Sequence, residues 1–327
     1  MHKKNHNNTY MRFVKTLIKN TMNVFKKMNT LTRICLVLAI IMIIIVLCKS
    51  LPTIEGFEDG KENMQSEKYK LVRNNNIYDD FYVDLYDQLV YSSHKNEYEI
   101  KQLQDKANLD KNSIVLDVGS GTGRHCKLLK DLGCKCVGID KSGSMIKKAK
   151  SNCPDVKFVK DNVLNTMTFQ GNSFTHVTVF YFTLYYIKDK SQFFKNAYHW
   201  LKPNGYLIIH LVNKHKFDPI IPAGDPLIFL SAQNYSKKRI TDTVVEFDKF
   251  KYKANFNLLN DGDKAKFNER FVFPNGNVRH NEHVLFMDDQ SKILGLAKDI
   301  GFILQAKIDL TKCQYERQYL YVLQKPN

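Results

Sequence analysis

The stretch VLDVGSGTGRHCKLL, residues 115–129, joins an apolar run to a glycine-rich turn and then to a helical pattern. Three of the chain's 15 glycines, Gly119, Gly121 and Gly123, stand at alternate positions directly after the apolar residues. Glycine is favoured where the backbone needs a positive φ or where another group approaches it closely. The pattern therefore predicts a strand, a tight turn and a helix, with a ligand passing close to the turn.

Short β-rich runs alternate with helical stretches on both sides of this turn. These runs lie at residues 113–119, 134–140, 156–161, 174–180 and 205–212. Such alternation is typical of a parallel sheet with helices on both faces. Two further runs, 303–310 and 319–325, are predicted to return to the same sheet. We therefore predict an α/β protein with a doubly wound, seven-stranded, mostly parallel sheet.

A second region, inserted after the fifth run, has the alternating pattern of antiparallel strands. FKYKANFNL, residues 250–258, alternates apolar and polar side chains, and the turn PNGN, residues 274–277, joins two further alternating runs. Pro, Asn and Gly at a short connection are typical of a hairpin. We therefore predict an antiparallel β insertion over about residues 240–287, folded as a lid over the site.

The last of those runs, VRHNEHVLF, divides its polar side chains between two faces. Arg279, Asn281 and His283 fall on one face, and His280 and Glu282 fall on the other. Charged side chains are mostly exposed in proteins, so a solvated strand face is the favoured interpretation. The alternative is that one of these faces borders a substrate cavity.

The N-terminal part of the chain differs from the rest in composition. Residues 31–49 contain fifteen consecutive apolar residues, Ile34–Cys48, and are predicted to form a single transmembrane anchor. The preceding tail, residues 1–30, fits either a basic amphipathic helix on a membrane surface or a solvated tail. Residues 50–75 are predicted to be a polar linker, and residues 76–327 form the main domain.

Charge and cysteine content limit the classes of partner. The net charge is +16, but residues 1–50 hold nine Lys or Arg and no acid, so residues 51–327 carry 40 bases against 33 acids. This mild excess does not support a nucleic acid partner. The seven cysteines show no metal-ligand spacing, so we predict no metal site and free thiols in a reducing compartment.

Three kinds of nucleotide site were compared for the glycine turn. A phosphate-binding P-loop ends in Gly-Lys-Ser/Thr, but this turn ends in Gly123, Arg124 and His125. A dinucleotide fingerprint needs its last glycine where Arg124 stands. The remaining pattern combines the glycines with Asp140, which closes the next run, and an acid there can bind both hydroxyls of a ribose. This favours a nucleoside ligand without phosphates.

VLDVGSGTGRH, followed by VGIDKS and VKDN, resembles the class I S-adenosylmethionine-dependent methyltransferases, with domains of type 11 or type 25. The resemblance implies a Rossmann-like fold with one antiparallel strand and S-adenosylmethionine as cofactor. One departure is Thr175-His176, because the family often has an acid at the start of the fourth strand. The positions that the resemblance implies for cofactor binding are Asp117, Gly119, Ser120, Gly121, Gly123, Asp140, Lys141, Asp161 and Asn162.

Methyl transfer from a sulfonium is an in-line displacement, which needs alignment and a desolvated site more than a conspicuous catalytic residue. The catalytic residue is therefore left unassigned. Candidates for contact with an acceptor are Tyr181, Tyr185, Tyr186, His280 and His283. Ordinary aromatic packing is the competing interpretation of the tyrosines. His125 is interpreted as a helix-start residue that packs locally, in preference to a catalytic group.

The sequence as a whole predicts a membrane-anchored methyltransferase with an unidentified acceptor. The alternative is a non-catalytic binding module of the same fold at a membrane, and a nicotinamide oxidoreductase is a weaker third hypothesis. Orientation stays open, because the positive-inside rule sends the main domain across the membrane, whereas a cytosolic cofactor and free thiols favour the other side.

Overall fold

The computed structural model describes residues 28–30, 32, 38–39, 42, 68–222, 233, 236–259 and 262–327. The chain divides into two units, Met1–Met64 and Gln65–Asn327. In the first unit, Asn29 Oδ1 accepts hydrogen bonds from N and Oγ1 of Thr32 at the start of a helical stretch.

The predicted membrane anchor lies mostly outside the described residues. Of residues 31–49, only 32, 38, 39 and 42 are described, and all four are helical. In the part of the chain that the structure describes, no helix is both long and apolar enough to cross a bilayer. The tail at 1–27 and the linker at 50–67 are likewise outside the described residues.

The second unit is built on a central sheet, which has seven strands within the described residues, in the order β11-β12-β6-β5-β2-β3-β4. Its strands are β2 (Ile114–Val118), β3 (Lys135–Asp140), β4 (Lys157–Lys160), β5 (Phe174–Val179), β6 (Leu201–Val212), β11 (Ile303–Asp309) and β12 (Gln318–Gln324). Strand β12 runs antiparallel to both β6 and β11, and the other pairs are parallel. The predicted doubly wound, mostly parallel sheet is confirmed.

Helices connect these strands and cover the sheet. They are α1 (Asp80–Val90), α2 (Ser93–Lys106), α3 (Arg124–Asp131), α4 (Gly143–Asn152), α5 (Thr183–Tyr186), α6 (Lys190–Trp200) and α7 (Gln290–Ile300). Short 3-10 helices occupy Asn74–Ile77, Thr166–Thr168 and Thr311–Cys313. Polar side chains start several of the longer helices: Asp79, Ser92, Ser142 and Asp189 each accept a backbone hydrogen bond from the first turn. Such capping supplies acceptors for N–H groups that have no partner within the helix.

The apolar core lies on both faces of the central sheet. Along β6, Leu207 and Ile209 pack with Trp200 on one face, whereas Ile208 packs with Leu103 on the other. Successive residues of a strand point to opposite faces, so an uninterrupted apolar run is what a sheet covered on both sides requires. This packing leaves the carboxyl ends of the parallel strands as the edge where a ligand can approach.

A second sheet has the order β1-β10-β9-β8-β7 within the described residues, and we call it the inserted sheet because four of its strands follow β6. Its strands are β1 (Tyr69–Arg73), β7 (Asp242–Phe247), β8 (Phe250–Leu258), β9 (Lys264–Val272) and β10 (Val278–Phe286). Strands β7 to β10 form the antiparallel insertion that the alternating pattern predicts.

Strand β1 corrects the predicted boundaries at 50–75 and 76. The predicted linker includes Tyr69–Arg73, but this segment pairs in parallel with Val278–Glu282 of β10. Only Val72 is buried among its five residues, so the segment lacks an apolar face that sequence patterning could detect. Its position depends on backbone pairing with a strand about 200 residues away along the chain.

The face of β10 that carries Arg279, Asn281 and His283 is also a correction. Their exposed fractions are 3%, 0% and 2%, so the favoured solvated face is wrong for these three residues. Arg279 is held by both carboxylate oxygens of Asp79, at 2.9 and 2.8 Å, and by Asn281 Oδ1 at 2.8 Å. Charged groups are tolerated in a buried position when they are paired in this way.

Candidate functional site

A cavity of about 1400 Å³ lies where the carboxyl ends of the central strands face the inserted sheet. Its walls include the segments that follow β2, β3, β4 and β5, together with residues of α1, β9 and β10. Ligands of open α/β sheets bind at this edge of the sheet. The cavity is therefore the candidate functional site.

The glycine turn after β2 forms part of the cavity wall. Gly119 and Gly121 have φ values of +66° and +52°, in the left-handed region that favours glycine. A Cβ on Gly119 would lie 2.4 Å from Thr183 Cγ2, whereas a Cβ on Gly121 would meet nothing closer than Tyr86 Cε1 at 3.9 Å. The turn thus packs closely against α5 at Gly119 and leaves open space along its backbone at Gly121.

Asp140, at the end of β3, ties two turns together at this wall. Its Oδ2 accepts a hydrogen bond from Gly121 N at 3.0 Å, and its Oδ1 accepts one from Ser142 N at 2.9 Å. Burial raises the pKa of Asp140 above its ordinary value, although these N–H donors act in the opposite direction. The backbone N–H of Lys141 also acts on this carboxylate. A carboxylate has about four lone-pair positions, so it keeps capacity for a ligand in the cavity beside these three backbone donors.

Asp161 and Asn162 contribute a second polar segment, after β4. Asp161 accepts hydrogen bonds from Thr168 Oγ1 and from Asn162 N, both at 2.7 Å, and these donors hold its pKa below the ordinary value. Both residues line the cavity. Ser120 and Lys141 line it too, and Ser120 Oγ is buried with no hydrogen-bond partner among the described residues.

Two of the predicted cofactor residues do not line the cavity. Asp117 is 2% exposed, and its carboxylate accepts hydrogen bonds from Thr178 Oγ1 at 2.8 Å and from Cys126 Sγ at 3.5 Å. Burial raises its pKa. A Cβ on Gly123 would lie 3.0 Å from Phe158 Cζ, under α4. Asp117 and Gly123 therefore contact the turn on the side that faces away from the cavity.

Only three of the five candidates for acceptor contact line the cavity. Tyr181, Tyr186 and His283 line the cavity, whereas Tyr185 and His280 do not. Tyr185 is fully buried, and its hydroxyl accepts a hydrogen bond from Val212 N at 2.8 Å. His280 lies on the outer face of β10, 2.8 Å from the Tyr69 hydroxyl. For Tyr185, aromatic packing is the correct interpretation.

Glu269 of β9 lies behind the opposite wall of the cavity, where it is hydrogen-bonded to His283 of that wall, and sequence reasoning missed it. It is 1% exposed. Its carboxylate accepts hydrogen bonds from Tyr82 and Tyr252 hydroxyls at 2.8 and 2.7 Å, from Asn281 Nδ2 at 3.2 Å and from His283 Nε2 at 2.7 Å. The available signal was the alternation of Ala265, Phe267, Glu269 and Phe271, which puts one acid within an apolar strand face.

A third polar group borders the cavity beside α2. Lys95 Nζ and His125 Nε2 lie 2.7 and 2.9 Å from the two carboxylate oxygens of Glu99, which is fully buried. Burial alone would raise the pKa of Glu99, but Lys95 and His125 lower it to about 2. His125 also stacks on Phe180, with ring centroids 4.0 Å apart. The preferred interpretation of His125 as a packing residue agrees with these contacts.

Thr175 and His176 stand where the resemblance implies an acid at the start of a strand. Both are held there by hydrogen bonds to neighbouring elements. Thr175 Oγ1 accepts a hydrogen bond from Ile114 N at 2.8 Å, and His176 Nε2 donates to Ala107 O at 2.7 Å. Burial lowers the pKa of His176. These residues join β5 to β2 and to the end of α2, so they support the sheet away from the cavity.

Among the described residues, His, Cys, Asp and Glu form no group arranged to bind a metal. The five cysteines of the second unit, Cys126, Cys134, Cys136, Cys153 and Cys313, are free thiols.

Comparison with known proteins relates this fold to methyltransferases. Residues 116–209, from within β2 to within β6, match the family model described as a methyltransferase domain. The solved CcbJ methyltransferase from Streptomyces caelestis superposes with a TM-score of 0.59 at 18% identity, covering 78% of this chain and all of that one. A S-adenosylmethionine-dependent methyltransferase from Clostridium acetobutylicum ATCC 824 gives a TM-score of 0.56 at 16% identity, over 76% and 98% of the two chains. The fold is therefore the Rossmann-like fold of methyltransferases.

Curated relatives match a smaller part of the chain. Phosphoethanolamine N-methyltransferase of Plasmodium falciparum (isolate 3D7) is 31% identical over 159 residues, covering 45% of this chain and 58% of that protein. Phosphoethanolamine N-methyltransferase 1 of Zea mays is 31% identical over 158 residues, covering 47% of this chain and 30% of that protein. The chain thus spans little more than half of one relative and less than a third of the other.

Proposed function

We propose that this protein is a S-adenosylmethionine-dependent methyltransferase that acts on a small amine. The observation that carries the proposal is Asp140, whose carboxylate is fixed by Gly121 N and Ser142 N at the wall of the 1400 Å³ cavity. The match of residues 116–209 to a methyltransferase domain supports it.

The residues of this wall fit the cofactor. A ribose hydroxyl can donate to the capacity that the backbone donors of Asp140 leave free. The turn at Gly121 lacks a side chain that would fill the adjacent space. Ser120 Oγ, buried without a partner among the described residues, supplies a further polar group. Asp161 and Asn162 line the cavity beyond β4, and they are the residues that would contact the adenine according to the resemblance.

The mechanism requires the chain mainly to orient reactants and exclude water. When bound, S-adenosylmethionine would supply an electrophilic methyl group, which passes in line to the acceptor while the thioether sulfur leaves. Gly119, Gly121 and Asp140 hold the donor side of the cavity in one geometry through backbone contacts. The inserted sheet covers the other side with Phe267, His283 and Leu285. Such alignment in a desolvated site accounts for much of the rate of group transfer.

A small amine is the proposed acceptor because of the aromatic wall and the relatives. Tyr78, Tyr82, Tyr86, Tyr181 and Tyr186 all line the cavity. The faces of aromatic rings attract cations such as ammonium groups. Two relatives described above carry names of phosphoethanolamine N-methyltransferases, which makes phosphoethanolamine the first acceptor to try.

Calorimetric titration of the full-length chain with S-adenosylmethionine tests the cofactor. We expect binding that is weakened at least tenfold by Asp140→Ala and by Gly121→Arg. Asp155→Ala is the matched control, since its side chain is 73% exposed and pairs only with Lys130 among the interactions of the described residues. Absence of binding, or equal binding by all variants, would refute the proposal.

Incubation with phosphoethanolamine then tests turnover. The expected products are the N-methylated amine and S-adenosylhomocysteine, measured by mass spectrometry. Cofactor binding without any methylated product, with phosphoethanolamine and with fractionated extract, would instead favour a non-catalytic binding module. NAD that competes for the site would favour an oxidoreductase.

We also propose that residues 31–49 anchor the protein in a membrane. The support is the run Ile34–Cys48, fifteen consecutive apolar residues after a basic tail. Alkaline carbonate extraction of membranes tests the anchor, and release of the chain into the supernatant would refute it. Protease protection of a C-terminal tag in sealed vesicles then determines on which side the second unit lies.

A further inference from the structure

A continuous set of hydrogen bonds leads from the cavity into the inserted sheet. The Tyr186 hydroxyl lies 2.8 Å from His283 Nδ1, and His283 Nε2 lies 2.7 Å from Glu269 Oε2. Tyr186 keeps 38% of its surface exposed, whereas His283 and Glu269 are 2% and 1% exposed. The set therefore links an accessible phenol to a carboxylate that bulk water does not reach.

The chemistry of the three groups gives these hydrogen bonds a direction. Burial alone would raise the pKa of Glu269, but His283, Tyr252 and Asn281 outweigh it, so the pKa lies below its ordinary value. An ionised carboxylate only accepts hydrogen bonds, so His283 Nε2 carries the proton. In a neutral imidazole Nδ1 then has a lone pair, and it accepts the hydrogen bond of the Tyr186 hydroxyl.

The surroundings of His283 contain a small set of titratable groups. The rings of Tyr78 and Tyr82 lie 6.0 and 6.1 Å from the imidazole, from the segment before α1 and from α1 itself. Tyr186 faces it from α5 and Glu269 from β9. Two more titratable groups lie close by without contacting His283 directly. Tyr252 of β8 donates a hydrogen bond to Glu269, and Arg279, on the same face of β10, is paired with Asp79.

The oxygen of Tyr186 retains capacity for a further partner. It donates its proton to His283, and the Tyr78 hydroxyl is also hydrogen-bonded to it. A phenol oxygen accepts hydrogen bonds as well as donating one, and Tyr186 lines the cavity, so a group bound there can reach this oxygen. A proton arriving there can be passed on as the phenol proton moves to His283.

We propose that Tyr186, backed by His283 and Glu269, accepts a proton from the methyl acceptor, and that the acceptor is consequently a nucleophile that is protonated at neutral pH. This inference rests on the proposed function. The acceptor nitrogen gives its proton to the Tyr186 oxygen while the Tyr186 proton moves to His283 Nδ1. The lone pair left on nitrogen forms the N–C bond, and the electron pair of the broken C–S bond stays on sulfur. Glu269 then faces an imidazolium, which its negative charge stabilises.

A purely structural role would require the same contacts but not the same pH dependence. The bonds of Tyr186 and His283 also join α5 to the inserted sheet, so loss of rate alone would not distinguish the two roles. Proton removal matters only while the acceptor enters the site protonated. A primary amine has a pKa of about 10, as in lysine, so raising the pH removes the need for the relay.

Turnover of phosphoethanolamine by the full-length chain in detergent provides the first test. We expect Tyr186→Phe to lower kcat about 100-fold at pH 7, with KM changed less than about threefold. The ratio of wild-type to variant kcat is expected to fall towards unity as the pH approaches 10. A ratio that stays constant between pH 7 and pH 10 would overturn the proposal.

The matched control is Tyr185→Phe, one residue earlier in α5. It removes a hydroxyl that is buried against Val212 N and does not line the cavity. The variant is expected to be less stable to heat, with a kcat ratio to wild type that does not change with pH. Glu269→Gln, if it stays folded by circular dichroism, should show the same alkaline recovery as Tyr186→Phe.

A second test does not depend on turnover. Nitrogen NMR of the chain labelled at histidine, assigned with His283→Gln, reports which ring nitrogen of His283 is protonated. The relay requires a proton on Nε2 and none on Nδ1 in the neutral form, and the opposite tautomer would overturn it. A wild-type chain that binds no S-adenosylmethionine would refute the proposed function alone, whereas an active Tyr186→Phe variant with unchanged kcat at pH 7 would refute this inference alone.

Discussion

The two walls of the cavity are stabilised by different kinds of hydrogen bond. On the central sheet, Asp140 is held by the N–H groups of Gly121 and Ser142, all within 22 residues of one another. On the inserted sheet, Glu269 is held by side chains, including Tyr82 from a position 187 residues earlier. A wall made of backbone groups depends on local turn conformation, whereas a wall made of side chains depends on distant strands being in register. The two walls should therefore respond differently to substitution.

The largest effect is expected at Glu269. Glu269→Ala leaves the four donors of Tyr82, Tyr252, Asn281 and His283 without their buried acceptor. We expect the free energy of unfolding to fall by about 3–5 kcal/mol, measured by chemical denaturation. Glu246→Ala, an exposed acid of β7, is the control and should change stability by less than about 0.5 kcal/mol. A loss below about 1 kcal/mol at Glu269 would show that the side-chain wall is not a unit.

A smaller effect is expected for a methyl group on the glycine turn. Gly119→Ala combines a φ of +66° with a Cβ 2.4 Å from Thr183, so we expect a loss of about 2–4 kcal/mol. Gly276→Ala has a φ of +83° but nothing within 4 Å of its Cβ, so it should lose only about 1 kcal/mol. The double variant Gly119→Ala with Thr183→Ala should recover the stability that Gly119→Ala loses beyond the loss in Gly276→Ala, because it removes the close contact. Equal losses at the two glycines would mean that conformation, not close packing, selects Gly119.

The buried histidine of the central sheet makes stability depend on pH. His210 of β6 is fully buried and donates from Nδ1 to the carbonyl oxygen of Tyr181 at 2.6 Å. Burial, with Lys95 nearby, lowers its pKa from 6.5 to about 4. Between these two pH values the unfolded chain binds a proton that folded His210 does not. Its contribution is therefore complete above pH 6.5 and is lost as the pH falls towards 4.

This contribution can be measured as a change in stability with pH. We expect His210 to account for about 2 kcal/mol of the stability lost between pH 8 and pH 5. His210→Gln should reduce that loss, even if its stability at pH 8 is lower. His215→Gln, at an exposed position, should leave the pH dependence unchanged. An unaltered slope in His210→Gln would mean that His210 titrates normally in the folded chain.

The smallest effect is expected at the edge of the inserted sheet. Arg73 of β1 forms an ion pair with Glu282 at 3.0 Å, but its side chain is 57% exposed. Exposed ion pairs contribute little, so Arg73→Ala should cost less than about 0.5 kcal/mol. Val72→Ala, which truncates the one buried side chain of β1, is expected to cost more, about 1–2 kcal/mol. The reverse order would show that charge rather than packing attaches this strand.

The central sheet was predictable because its signals are local. Apolar runs fixed its strands, and the glycines with Asp140 fixed the turn that borders the cavity. The placement of Asp117 among the cofactor positions has the same origin, since spacing places an acid near a turn without showing which way its side chain points. Contacts with Thr178 and Cys126 decide that direction, and they involve another strand and a helix.

The inserted sheet was predictable only in outline. Alternation predicted its antiparallel strands and the division of residues on β10 between two faces. It did not predict that the face with Arg279 and His283 is buried, because burial depends on Asp79 and Glu269 arriving from other elements. Tyr186 could be named as a candidate, but its partner could not, since 97 residues separate it from His283.

Strand β1 has a practical consequence for any shortened form of this protein. Its residues precede the predicted start of the domain at residue 76, yet they cover the outer edge of β10, the strand that carries His283. A chain that begins at residue 76 would retain every cavity-lining residue except Asn74 and would still lack this cover. It would expose unpaired backbone groups along β10, which invites pairing with other molecules. Truncated proteins intended for crystallisation or screening should therefore begin before residue 68.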